Sequence, residues 1–226
     1  MAANKPSIWK SIRNYFKNRP WLGMWIGIFS AALILLGVTG NLHTQGNGLP
    51  TIYEIGFVSI VIIVWVIAKV FFKNDLTEEY LMGILFGIQW EFLTEPYWTY
   101  LPDRFNILAW HGKDIPLLAL GGWGTTMTMA LVISNWLGKR LFGLSGLKLL
   151  FDWRILLCDA LAIQFMGTMA EWTCGILLKC WTYNLGFGMG KSPFGLGWEI
   201  HIGYMIVMFW YGTTMRVWKY KLEKKI

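Results

Sequence analysis

Six apolar runs, each close to the length of one bilayer crossing, constrain this chain more than any other feature. They fall at 21–42, 51–72, 81–100, 115–137, 155–183 and 201–218, divided by short polar or glycine-rich breaks. About 20 apolar residues in a helix cover roughly 30 Å of hydrocarbon. The alternating pattern of a membrane barrel is missing, and only helices then satisfy the backbone inside lipid. The expected fold is therefore all-α: a polytopic bundle of six transmembrane helices over 21–218, with a basic cytoplasmic segment at 1–20 and a basic cytoplasmic tail at 219–226.

Composition agrees. Of 226 residues, 55% are hydrophobic and only 15% charged, which excludes an ordinary soluble domain. The formal charge of +7 would suit nucleic acid, but the basic residues sit at the ends of apolar runs and not on a separate domain, so no nucleic-acid partner is expected. The basic start lacks a small-residue cleavage site after its apolar run and is expected to stay as an anchor. Cys158, Cys174 and Cys180 form no CxxC pair and are expected to be buried thiols.

The basic residues also orient the bundle. Lys5, Lys10, Arg13, Lys17 and Arg19 lead; Lys139, Arg140, Lys148 and Arg154 occupy the fourth break; Arg216, Lys219, Lys221, Lys224 and Lys225 close the chain. All three clusters fall on one face, so both termini are expected in the cytoplasm, with the chain in a plasma or inner membrane.

The third and fourth runs echo the fifth and sixth. Gly87-xxx-Glu91 matches Gly167-xxx-Glu171, Trp98-Thr99-Tyr100 matches Trp181-Thr182-Tyr183, and Gly124-Thr125-Thr126-Met127 matches Gly212-Thr213-Thr214-Met215, in the same order. The pattern predicts a duplicated helical hairpin, with parallel repeats about an axis along the membrane normal. The spacing from glutamate to tryptophan differs, seven residues in the first copy and ten in the second.

Carboxylates in such a chain need a reason. Glu91 and Glu95, four apart, share a helix face, and Trp98 falls close to it. Counted back from Tyr100 and Tyr183 along a helix, Glu91 lies about 13 Å and Glu171 about 18 Å inside the outer boundary. Acids at that depth cost at least ~2.5 kcal/mol on insertion scales and are site candidates by default. Two carboxyls on adjacent turns oppose each other's ionisation and are expected to share a proton, the equipment of acid and base chemistry. Pro96 is expected to break the helix there and open a pocket. Gln164 and Gly167 share the face of Glu171. Trp90, Trp98, Tyr100, Gln164, Trp181 and Tyr183 are the expected substrate contacts, although an interfacial aromatic belt is the leading explanation of the tryptophans and tyrosines of the two W-T-Y segments. His43, His111 and His201 all fall at the outer end and form a rival metal site, but no pair has ligand spacing.

A mid-helix glutamate, then W-x-Y, then "IPLLALGGWG" opening the next run resembles the small integral-membrane carotenoid-modifying proteins, the heterodimer-type lycopene cyclases and carotenoid hydratases. The resemblance covers 87–123 and, more faintly, 167–210. It implies protonation of an isoprenoid double bond without a redox cofactor, with Glu91 and Glu171 as acids. The paired glutamates that follow proline in the cyclases are missing here, where Glu95 precedes Pro96.

The leading expectation is an enzyme acting on a membrane lipid or isoprenoid by alkene protonation, with Glu91, Glu95 and Glu171 catalytic, no cofactor and no metal. Two rivals remain. One is a non-catalytic accessory subunit that packs its 15 tryptophans against partner subunits or pigments in a larger membrane complex, a reading that a homo-oligomer, the other expected assembly, would disfavour. The other is a small proton-coupled transporter.

Overall fold

The computed structural model describes residues 17, 42–45, 51–70, 76–94, 98–101, 103, 105–110, 113–116, 119–146, 148–184 and 189–223. The chain divides into two units, Met1–His43 and Thr44–Ile226. Of the first, the described residues are Lys17, Leu42 and His43; the expected crossing at 21–42 thus lies almost entirely outside the described residues. Strand β1, Leu42–Gln45, runs across the boundary.

The second unit is mostly helical. Helix α1, Ile52–Val70, starts with a reciprocal cap: Thr51 Oγ1 accepts from the Glu54 N–H at 3.2 Å, and Glu54 Oε2 accepts from the Thr51 N–H at 2.8 Å. Glu54 also accepts from the backbone N–H of Asn106 at 2.8 Å and its side-chain amide at 2.7 Å, which ties the loop after β2 to the start of α1. Large apolar side chains cover the outer face of α1, where Ile60, Ile62 and Ile63 are each more than half exposed.

Helices α2, Thr77–Thr94, and α3, Ala119–Phe142, follow. After a short turn, α4, Lys148–Phe151, leads to α5, Trp153–Ala170, whose N-cap Asp152 accepts from the Arg154 N–H. From Glu171 to Leu177 the helix widens into a π-helical stretch. Helix α6, Trp198–Glu223, ends the unit. Around a ring, α2 packs on α3, α3 on α5, α5 on α6 and α6 back on α2. Met127, Ala130, Ile163, Val207, Met208 and Tyr211 fill its centre. Small residues bring backbones close: a Cβ on Gly83 would stand 3.1 Å from Gly124 Cα.

One end of the ring is held by charge. Arg216 on α6 donates to both Asp159 oxygens on α5, at 2.8 and 2.5 Å, and to Ser134 Oγ and Asn135 Oδ1 on α3, at 2.9 and 2.8 Å. One turn along, Lys219 pairs with Glu79 and Trp218 Nε1 donates to Glu78 at 2.9 Å. Arg216, counted with the cytoplasmic basic residues, is only 6% exposed and lies in this interhelical pair. Burial without its partner would be costly, and the helices position the partner.

The other end carries short strands. The W-T-Y segments, expected at the ends of helical runs, are instead β2, Trp98–Tyr100, and β5, Trp181–Tyr183. They pair antiparallel, Trp98 with Tyr183, Thr99 with Thr182 and Tyr100 with Trp181. Strands β3, Ile107–Trp110, and β4, Lys113–Pro116, form an antiparallel hairpin beside them. Among the described residues two helices are long and apolar enough to cross a membrane, Ile52–Val70 and Trp153–Leu177, with mean hydropathies of 2.1 and 1.2.

Candidate active site

Because α2 ends at Thr94, Glu91 is only three residues from the helix end, about 5 Å along the axis rather than 13. It is nevertheless 2% exposed. Its neighbours bury it: the β2–β5 ribbon folds back over the helix ends. Trp98 therefore reaches the carboxylate from a strand, not from the next turn of the same helix face.

Three donors meet Glu91. Trp123 Nε1 and the Tyr100 hydroxyl donate to Oε1 at 2.5 and 2.8 Å, and Trp98 Nε1 donates to Oε2 at 3.2 Å. Glu171, where α5 widens, is dressed in the same way. Trp181 Nε1 donates to Oε2 at 3.0 Å, the Tyr183 hydroxyl donates to the same oxygen, and the Tyr204 hydroxyl donates to Oε1 at 2.8 Å. Each glutamate thus receives the tryptophan and tyrosine of its own W-T-Y strand, plus one aromatic donor from the following helix, Trp123 on α3 or Tyr204 on α6.

The Gly-xxx-Glu spacing has a local cause. A Cβ on Gly87 would run into Trp123 Cβ, and one on Gly167 would stand 3.0 Å from the Tyr204 ring. Glycine one turn before each carboxylate therefore admits the aromatic ring that donates to it. The two shells touch. Tyr100 meets Trp181 edge-on with ring centroids 5.7 Å apart, and Trp123 meets Tyr204 at 5.5 Å.

Both carboxylates line one cavity of about 1160 Å³, with Trp90, Trp98, Tyr100, Trp123, Trp181, Tyr183 and Tyr204 among its walls. That volume holds a ligand of lipid size. The loop of 189–197 closes part of the cavity and is pinned by hydrogen bonds from Ser192 N–H to Leu196 O at 2.7 Å and from Trp198 N–H to Gly190 O at 3.2 Å.

Chemically, the two carboxylates differ. Both oxygens of Glu91 receive an indole N–H, a group that can only donate. Among the described residues, Glu171 Oε1 meets only the Tyr204 hydroxyl, which can reverse its role and accept a hydrogen bond from a protonated carboxyl oxygen. Glu91 is therefore the more fully donated-to of the two, and Glu171 Oε1 is the oxygen that faces a reversible hydroxyl without an indole beside it. The π-helical stretch at Glu171 is a feature often found at functional sites.

The remaining expected residues are placed as follows. Gln164 does not line the cavity. Its amide donates to His201 O at 2.7 Å and its carbonyl meets His201 Nδ1 at 2.6 Å, while His201 Nε2 meets Ser192 Oγ at 2.8 Å. The expected substrate contact is a strut between α5, α6 and the cavity loop. These bonds occupy both ring nitrogens of His201, against the rival metal site. His111 lies outside the described residues and nothing is described of the His43 side chain; no group of three His, Cys, Asp or Glu among the described residues could hold a metal. Glu95 and Pro96 also lie outside the described residues. Sequence reasoning missed Trp123 and Tyr204 as carboxylate donors and Glu199 as a wall residue. For Trp123 the signal was present in the glycines around it, "GGWG".

Searches of protein-family models, curated proteins and solved structures return no match to this chain.

Proposed function

We propose that the chain is a six-span integral membrane enzyme, built on a duplicated hairpin, that admits an unsaturated lipid or isoprenoid from the bilayer and moves a proton on and off its double bond without a redox cofactor. The observation that carries this reading is the pair of buried glutamates, Glu91 and Glu171, on one large aromatic-walled cavity. The positive-inside rule then places the Arg216 end in the cytoplasm and the β2–β5 end outward.

In the proposed reaction Glu171 delivers its proton to one alkene carbon: a C–H bond forms and the π bond becomes a cationic centre on the neighbouring carbon. The ring faces of the cavity stabilise that charge. Loss of a proton from the next carbon to Glu91 restores a double bond one position along, so atoms and charge balance with no oxidant. The proton returns from Glu91 to Glu171 through solvent.

The test is incubation of purified, reconstituted protein with its own membrane lipid extract in deuterated water. Deuterium should enter vinylic or allylic carbons of one lipid class. Replacing Glu91 by Gln or Glu171 by Gln should stop incorporation while circular dichroism stays unchanged. Incorporation that survives both substitutions ends the proposal.

A further inference from the structure

Glu199, in the first turn of α6, lines the same cavity as Glu91 and Glu171. Its Oε2 is buried and has no hydrogen-bond partner among the described residues. A buried acceptor without a donor is expensive, so a donor is expected from whatever fills the space. Six of the wall's donors are committed elsewhere: the indole and hydroxyl groups of Trp98, Tyr100, Trp123, Trp181, Tyr183 and Tyr204 are spent on Glu91 and Glu171. Three carboxyls stand among those wall residues against a single basic side chain, Lys191, which is solvent-exposed at the rim. A fatty acid or an anionic phospholipid headgroup would bring further negative charge and acceptors to a wall already rich in both. An ammonium brings donors and positive charge, and ring faces attract it.

We infer that the cavity takes a long-chain amine, its ammonium donating to Glu199 Oε2 and its hydrocarbon lying along the aromatic walls toward Glu91 and Glu171. This names the substrate class of the proposed reaction, an unsaturated amphiphile with a protonated amine at one end, and rests on the same cavity being the ligand site. His201 and Ser192 set the geometry, since their hydrogen bond at 2.8 Å joins the cavity loop to α6 two residues beyond Glu199.

The test titrates full-length protein in nonionic detergent at neutral pH with dodecylamine, dodecanol and dodecanoic acid, read by tryptophan fluorescence. An alkyl ammonium keeps its charge there, as the comparable lysine group does with a pKa of about 10.4. Dodecylamine should bind at least tenfold tighter than dodecanol, with dodecanoic acid the weakest. Glu199→Gln should erase most of the amine's advantage while dodecanol binding persists, which also reports an intact cavity. If that variant does not fold, dodecyltrimethylammonium in the wild type decides: it carries charge but no N–H, and should bind several-fold more weakly than dodecylamine. An amine advantage below tenfold, or an advantage that Glu199→Gln or full methylation leaves intact, overturns the inference. Deuterium incorporation from the lipid extract is read separately, so its persistence after such a result leaves the proton-transfer reading standing and removes only the amine.

Discussion

Tyr100 donates to Glu91 and Trp181 donates to Glu171, and the two rings meet edge-on at 5.7 Å across the β2–β5 ribbon. The two carboxylates are therefore not independent: a shift in one donor shell presses on the other. Edge-to-face pairs contribute about 0.5–1.5 kcal/mol beyond area burial. Unfolding of Tyr100→Leu, Trp181→Leu and the double variant should show a coupling of that size, and simple additivity would show that the shells act separately.

The glycines beside the carboxylates should respond unequally. Alanine at 87 meets the first atoms of the Trp123 side chain, which cannot move without the backbone of α3, whereas alanine at 167 meets the Tyr204 ring at 3.0 Å. Overpacking of this kind costs about 1–3 kcal/mol. Gly87→Ala should fall at or above the top of that range and Gly167→Ala near the bottom, as read by thermal unfolding in detergent. Equal losses would contradict the packing described.

The Arg216–Asp159 pair should be costly to halve. Asp159→Ala leaves a guanidinium buried between three helices, and loss of one partner from such a pair costs about 3–5 kcal/mol. A double replacement, Asp159→Leu with Arg216→Met, should regain most of the loss. A single variant with wild-type stability would mean that water reaches this end of the ring.

Asp152 gives a pH-dependent prediction. Hydrogen bonds from Arg154 hold its carboxyl at about 2, below the usual aspartate value of about 3.9. A carboxyl whose folded value is lowered stabilises the fold above its unfolded value and loses that contribution as pH falls through the folded one. Anchoring of α5 should therefore weaken between about pH 4 and pH 2. Asp152→Asn keeps an N-cap acceptor but removes the charge, so hydrogen exchange at the start of α5 should lose its acid dependence over that interval.

Much of the helical fold was legible because hydropathy alone marks where backbone must satisfy itself. The run at 51–72 matches α1 within two residues. The W-T-Y strands were not legible. Three aromatic or β-branched residues at the end of an apolar run carry no period, and their strand character comes from pairing with a copy some 80 residues away. The glutamates stood out by their cost in lipid, yet their donors from α3 and α6 could not, since 32 and 33 residues separate them from the acceptors. The pairing of Arg216 was hidden for a related reason: basic residues near a span end are read as topology signals, and only the fold brings Asp159 to it, 57 residues away.

The widened stretch at 171–177 solves a problem of unequal arms. Ten residues separate Glu171 from Trp181 and only seven separate Glu91 from Trp98, yet the two strands arrive in matching register. A looser helical coil, followed by Lys179 at a φ of 50°, takes up the surplus. This arm thus carries an adjustable joint, set immediately after a carboxylate, where length can be gained or lost while the strand keeps its register.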